Sequence, residues 1–230
     1  MGGGVADAGR RGRDRVAVAR RLLIGVTFAA AALALAAGAL AREATPSRGA
    51  TAVVTLQERL VALRYLSPNE VSGRMDERTR KAILAFQGWE SLRRDGIVGP
   101  ATRDRLATAR VPRAGSGAGS RIEVHVGRGV ALLVRSSRVV RALHVSAGAS
   151  STPTPLGRFR VFRKERESWS VPFGVWLPWA SYFSGGVAFH GYGDVPAYPA
   201  SHGCVRVPLS DAHTVYAFAR LGVAVDVVPD

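Results

Sequence analysis

Cysteine and lysine are the scarce residues of this 230-residue chain, which has one cysteine, Cys204, and two lysines, Lys81 and Lys164. A single thiol excludes an intrachain disulfide framework and any cysteine-rich zinc or iron–sulfur site. It also leaves a lone thiol whose presence needs a reason. Acidic residues are few: 17 Asp and Glu stand against 32 Lys and Arg, a formal net charge of +15 carried almost wholly by arginine. Apolar residues make up 47% and charged ones 21%, so the chain can build a core and is not globally disordered. At this length it forms one large domain or two small ones. The charge suits a polyanion, whether nucleic acid, anionic lipid or an acidic wall polymer, without choosing among them. No zinc-knuckle, helicase or RNA-recognition signature is present, and no nucleic-acid partner is expected.

Six arginines between Arg10 and Arg21 precede an uncharged run of 20 residues, Leu22 to Ala41. That run is long enough to span a bilayer once. It ends in Ala39-Leu40-Ala41, a small-x-small site that a signal peptidase accepts. Residues 1–41 therefore read as a signal peptide or an N-terminal membrane anchor, the length of the run favouring the anchor. The basic flank is expected to stay in the cytoplasm and the rest to be exported. Membrane contact is expected only through residues 22–41.

Residues 51–108 read as helical. Val53, Leu56, Leu60 and Leu63 recur at helical spacing, Asp76 is placed to N-cap a second helix, and Gly99-Pro100 opens a third. Gly73, Thr79, Arg80 and Ile83 map onto Gly96, Thr102, Arg103 and Leu106, an internal repeat that makes a small three-helix bundle. With Leu56-Gln57, Tyr65, Phe86-Gln87, Leu92 and Asp95 to Pro100, this segment resembles the peptidoglycan-binding type 1 domain family. Arg64, Asp76 and Ser91 stand where that family often has glycine. The resemblance implies wall targeting; the other reading of the same positions is that they only hold the bundle together.

Residues 109–120, rich in Gly, Ser and Ala, read as a flexible linker in which nothing can pack. From Arg121 the period changes. Ile122, Val124 and Val126 alternate, and short β-rich runs follow at Val130–Val134, Val139–Val145, Arg158–Phe162 and Val223–Val228. A late helix is expected with Ser210 as N-cap and Gly222 as its stop. The fold class is α+β: a helical bundle, then a mostly-β module over residues 121–230.

The chemistry concentrates in Phe189-His190-Gly191 and in Ser201-His202-Gly203-Cys204-Val205-Arg206. A thiol needs a base or a positive field to act as a nucleophile at neutral pH, and histidine supplies one. The Gly203 and Cys204 amides are candidates for an oxyanion hole. Against this stand a buried structural cysteine and a zinc site from His190, His202, Cys204 and His213, which lacks the H-E-x-x-H pattern and a fixed acidic ligand.

The His-Gly pair, the Ser-His-Gly-Cys run and the upstream Thr152-Pro153-Thr154-Pro155-Leu156-Gly157 with Phe159 make the second module resemble the L,D-transpeptidase (YkuD-like) catalytic domain. The resemblance implies that Cys204 attacks the carbonyl of the third residue of a donor tetrapeptide stem and releases D-Ala. The thioester then passes to a second stem's side-chain amine, giving a 3→3 cross-link, or to water, giving carboxypeptidase activity. It implies no metal or cofactor, peptidoglycan stem peptides and glycan as partners, and carbapenem-type β-lactams as inhibitors. His190 would be the base, held by a backbone carbonyl or by Asp194; His202 would orient the site; Ser201 would support it by a hydrogen bond. Gly191 and Arg206 are expected on the substrate side, with an ion pair holding the loop as the other reading of Arg206. Trp169, Trp176, Trp179, Tyr182 and Phe183 are either a lid or stem-binding wall at the site, or core. A non-catalytic wall-binding protein is the alternative function. The implied location is the cell wall or the outer face of the cytoplasmic membrane.

Overall fold

Residues 48–229 are described by the structure, a computed structural model. The expectations for residues 1–41 lie outside the described residues. Among the described ones no helix is long and apolar enough to cross a membrane.

Among the described residues three helices come first: α1 (Arg48–Ala62), α2 (Glu77–Trp89) and α3 (Pro100–Thr108), with a 3-10 turn at Pro68–Glu70. Asp76 caps α2 by accepting from the Thr79 amide at 2.8 Å, and Pro100 takes the first turn of α3. The internal repeat is built on one device used twice. Buried Gln57 donates to the Thr79 hydroxyl (2.7 Å) and accepts from the Gly73 amide (2.8 Å). Buried Gln87 donates to the Thr102 hydroxyl (3.3 Å) and accepts from the Gly96 amide (2.8 Å). Each glutamine thus ties a glycine turn to the start of the next helix.

Arg64 and Ser91 adopt left-handed backbone, φ 72° and 56°. Each follows a helix whose end closes in the six-to-one pattern, Tyr65 amide to Leu60 carbonyl and Leu92 amide to Gln87 carbonyl, both at 2.8 Å. The glycine-type turns persist with side chains that strain them.

Nine strands follow. One sheet runs in the order β3 (Arg138–His144), β2 (Val130–Arg135), β1 (Arg121–His125), β9 (Ala224–Val228), β4 (Gly157–Arg160). The other runs β5 (Arg163–Ser170), β6 (Val175–Ser184), β7 (Val187–Tyr192), β8 (Val205–Pro208). Helix α4 (Leu209–Phe218) packs on the second sheet. Between the layers lie Ile122, Val124, Ala131 and Leu133 from the first sheet and Phe183, Phe189, Val205 and Val207 from the second.

The continuous apolar run of β2 has a cause, since it is buried on both faces. Ala131 and Leu133 face the second sheet. Val130, Leu132 and Val134 join Leu60, Ile83, Phe86 and Leu106 in a core shared with the helices. The seam also holds a buried ion cluster in which Arg141 of β3 pairs with Glu70 at 2.7 Å and with Asp211 of α4 at 3.1 Å.

That shared core corrects the flexible-linker reading of 109–120. Ala109 packs into the helical core, and its carbonyl accepts from the Arg59 guanidinium at 2.7 Å. The Arg121 guanidinium collects the Gly115 and Gly117 carbonyls at 2.6 and 2.9 Å, and the Glu123 carboxylate accepts from the Gly115 amide. The segment is pinned by its neighbours' charges, which its own composition does not reveal. The Ser210 cap is also corrected. Helix α4 begins two residues earlier, at Leu209, after Pro208 with its extended backbone, and no side chain caps it.

Candidate active site

His190 sits in β7 and Cys204 in the turn that enters β8. The two strands run parallel, with Phe189 opposite Val205 and His190 opposite Arg206. Alternation then puts Cys204, two residues before Arg206, toward the same side of the sheet. His190, Ser201, His202, Cys204 and Arg206 all line one cavity of about 660 Å³.

A set of hydroxyl bonds shapes the turn before β8. The Ser201 hydroxyl donates to the Cys204 carbonyl at 2.5 Å and accepts from the Gly203 amide at 3.1 Å. Thr152 donates to the Ser201 carbonyl at 3.0 Å, and Thr154 to the Gly203 carbonyl at 2.8 Å. Gly203 has φ 108°, which a side chain disfavours. The Thr-Pro-Thr-Pro segment is therefore the brace of the cysteine turn, a role that its sequence alone does not reveal. The Gly203 amide is already engaged by the Ser201 hydroxyl, which counts against the expected oxyanion pair of the Gly203 and Cys204 amides.

The His190 ring is buried, and Nδ1 lies 2.9 Å from the Gly191 carbonyl oxygen. A carbonyl only accepts, so Nδ1 carries the hydrogen and Nε2 keeps its lone pair in the neutral ring. Burial pushes the imidazole down to about 4; the Gly191 bond opposes this and the Arg206 charge adds to it. Burial pushes the Cys204 thiol up, against a backbone hydrogen bond at Ala188 and the Arg206 charge. At neutral pH the pair rests as thiol and neutral imidazole, both uncharged.

The remaining candidates divide. Arg206 places its guanidinium 4.1 Å over the Tyr192 ring. Among the described residues no carboxylate is ion-paired with it, so the loop-holding ion pair is not what it makes. Its backbone does hold the loop, exchanging hydrogen bonds with Ser146 at 2.9 and 3.1 Å. Tyr192 is a site residue that the sequence reading did not single out; its only signal is an aromatic two residues past His190. Gly191, expected on the substrate side, lies instead where α4 packs, and a Cβ there would meet Leu209 at 2.9 Å and Ala212 at 3.0 Å. His202 is exposed; among the described residues its ring contact is with Phe173, stacked at 4.7 Å, not a hydrogen bond that orients Cys204. Asp194 is exposed on the loop, and the Gly191 carbonyl is the partner of His190.

The aromatic segment is a β5–β6 hairpin rather than a long loop. Its tip carries Phe173, and Trp169, Leu177 and Tyr182 line the cavity from this side. Trp176 pairs across the strands with Trp169. Trp179 packs on His213 and Tyr216 of α4, and His213 is not among the residues that line the cavity. Phe183 is core. Trp169 and Tyr182 thus stand in the wall of the cavity, and Phe183 in the core.

Residues 119–227 match the L,D-transpeptidase catalytic domain family (YkuD), and residues 49–106 match the putative peptidoglycan-binding domain family. The crystal structure of an L,D-transpeptidase from Xylanimonas cellulosilytica superposes with a TM-score of 0.70 at 31% identity, over 77% of this chain and 93% of that one. An L,D-transpeptidase from Stackebrandtia nassauensis shares the fold, with TM-score 0.51 and 24% identity over 77% and 90% of the two chains. No curated protein sequence matches the chain.

Proposed function

The chain belongs to the L,D-transpeptidase family, and from that premise we propose that it cross-links peptidoglycan stems through a Cys204 thioester. The observation that carries this reading is the buried His190 ring, with Nδ1 fixed on the Gly191 carbonyl, in the same cavity as Cys204. Nε2 of His190 takes the thiol proton as sulfur attacks the carbonyl of the third stem residue. The oxyanion is met by the Cys204 amide. The amide C–N bond breaks, D-Ala leaves with the proton that His190 returns, and the thioester remains. The side-chain amine of a second stem's third residue then attacks it, giving a 3→3 link and freeing the thiol; water gives the carboxypeptidase product. A resting neutral pair means that the proton moves during attack, not before it.

Arg206, half-buried on the Tyr192 ring, binds a stem carboxylate, for which its planar fork is suited. Ser201, Thr152 and Thr154 hold the turn. The strained carbonyl of a carbapenem acylates Cys204 as the donor does. Residues 121–230 form the catalytic module and residues 51–108 bind the wall. Residues 1–41 direct export, and the enzyme works in the wall, outside the cytoplasmic membrane.

The test is to incubate the protein with disaccharide-tetrapeptide and measure intact protein mass and muropeptide products. An acyl adduct on Cys204 and 3→3 dimers are expected. Neither adduct nor dimer, with wall co-sedimentation retained, would leave a non-catalytic wall-binding protein.

A further inference from the structure

The segment 192–200 joins the two halves of the catalytic motif, from His190-Gly191 to Ser201. It is exposed or half-exposed throughout except at Val195, which is 1% exposed. The Val195 carbonyl accepts two hydrogen bonds, and one of them originates in the helical module. Lys81 Nζ of α2 reaches it at 3.0 Å, and His144 Nε2 of β3 reaches it at 3.0 Å. His144 Nδ1 in turn lies 2.9 Å from Arg94 Nη2, on the turn after α2, and the same nitrogen donates to the Gly129 carbonyl at 3.2 Å. A guanidinium only donates and a carbonyl only accepts, so His144 is the neutral tautomer with its hydrogen on Nε2. The chain of donors therefore runs from Arg94 through His144 to Val195, with Lys81 filling the second lone pair.

We propose that Lys81, with Arg94 acting through His144, is a positioning residue of the catalytic site, by which the wall-binding module fixes the loop between His190 and Ser201. This rests on the reading that Cys204 and His190 are the reacting pair. The same loop is tied at its far end by the Ser146 hydroxyl to the Tyr198 carbonyl at 2.7 Å and by the Ala200 amide to the Ala147 carbonyl at 3.0 Å. Ser146 also exchanges backbone bonds with Arg206. Val195 is thus the anchor furthest from the cysteine turn. Among the described residues the only group from the helical bundle that reaches the Val195 carbonyl is the ammonium of Lys81. A compact ammonium suits a single carbonyl already shared with an imidazole, where a planar fork would leave donors unpaired. Small displacements of the reacting groups are costly in rate, so a loop held from outside the catalytic module affects turnover more than affinity.

The test uses the full chain, with Lys81→Met, Lys81→Gln and Lys81→Arg, and with Lys164→Met as the control. Lys164 also spends its ammonium on one carbonyl, that of Tyr216 at 2.7 Å, away from the loop. Lys81→Met and Lys81→Gln, the second too short to reach Val195, should lower kcat about tenfold with KM within about twofold. Lys81→Arg, which keeps the charge and a donor but leaves its other donors unpaired, should recover only part of kcat, and Lys164→Met should keep it. Amide hydrogen exchange should speed up over residues 192–200 in Lys81→Met and not in Lys164→Met. Wild-type kcat in Lys81→Met, or an equal loss in Lys164→Met, overturns the proposal. If the unaltered chain neither acylates nor cross-links, the catalytic reading has failed instead. The exchange measurement then decides alone, and unchanged exchange over 192–200 overturns the anchor.

Discussion

The Thr154 hydroxyl donates to the Gly203 carbonyl at 2.8 Å and accepts from the Gly148 amide at 2.9 Å. One buried side chain thus ties the cysteine turn to the loop that carries Gly148. Thr154→Val keeps the shape and removes both bonds, leaving a buried donor and a buried acceptor unpaired, each at a cost of about 1–3 kcal/mol. A lower urea midpoint and slower carbapenem acylation of Cys204 are expected. Thr154→Ser, which restores the hydroxyl, should recover the acylation rate. Wild-type acylation in the valine variant would dismiss the brace.

Arg64 and Ser91 occupy left-handed turns that close α1 and α2. A side chain there costs on the order of 1–2 kcal/mol relative to glycine. Arg64→Gly and Ser91→Gly should each raise the melting temperature by about 2–4 °C, additively, because the sites are separate turns. Thermal unfolding of the two single variants and the double variant checks this; a lowered melting temperature would count against it.

These two positions illustrate what the sequence makes legible. A glycine-type turn is readable from a duplicated pattern even where glycine is missing, because buried Gln57 and Gln87 and their threonines stay in register. The Asp76 cap, the Gly99-Pro100 start and the four short β-rich runs are local signals, and each falls in or beside the matching element. The β5–β6 hairpin is not legible in this way. Strand β5 reads Arg-Lys-Glu-Arg-Glu-Ser-Trp-Ser with little burial, and the positive φ of Trp179 interrupts the alternation of β6. At the site, residue identity pointed to Cys204 and His190. The engaged Gly203 amide and the packing of Gly191 against α4 depend on contacts across the fold.

The helical module should not be dispensable. Val130, Leu132 and Val134 share its core, and Arg141 pairs with its Glu70. Deleting residues 48–110 would expose an apolar sheet face and strip the seam arginine of a buried partner. The truncated chain is expected to aggregate or lose cooperative unfolding, whereas a tethered module would leave a stable catalytic fragment. Size-exclusion chromatography and thermal unfolding of the truncated protein distinguish the two.

Acid should destabilise the fold well above the carboxylate range. Burial pushes His190 down to about 4 and His144 down to about 3, against about 6.5 in the unfolded chain. Below pH 6.5 the unfolded state binds protons that the folded state refuses, so stability falls as pH falls until the folded values are reached. Each histidine contributes about 1.4 kcal/mol per pH unit over that interval. Urea midpoints at pH 7 and pH 4.5 should differ by on the order of 5 kcal/mol once converted. His144→Gln should show about half that difference. Equal stability at the two pH values would mean that the rings are not buried neutral.

The same protonation states decide how the thiol is activated. With His190 low and Cys204 high, no standing thiolate–imidazolium pair exists at pH 7. Iodoacetamide reacts with thiolate alone, so alkylation of the wild type should be slow at neutral pH and climb with pH beyond the ordinary thiol range. On the proposed mechanism, carbapenem acylation instead uses neutral His190 as a base in the attack step. Its rate should hold down to about pH 5 and fall through about pH 4 as the imidazole gains its proton. Cys204→Ala should give no adduct. His190→Ala should slow acylation by about 10²–10⁴-fold, the usual worth of a positioned base. His202→Ala loses only the stack on Phe173 and should cost far less. Intact mass after timed carbapenem exposure reads all three variants. A blocked adduct in His202→Ala together with a wild-type rate in His190→Ala would exchange the two histidines. A pH-independent alkylation plateau between pH 5 and 8 would replace base catalysis with a preformed ion pair.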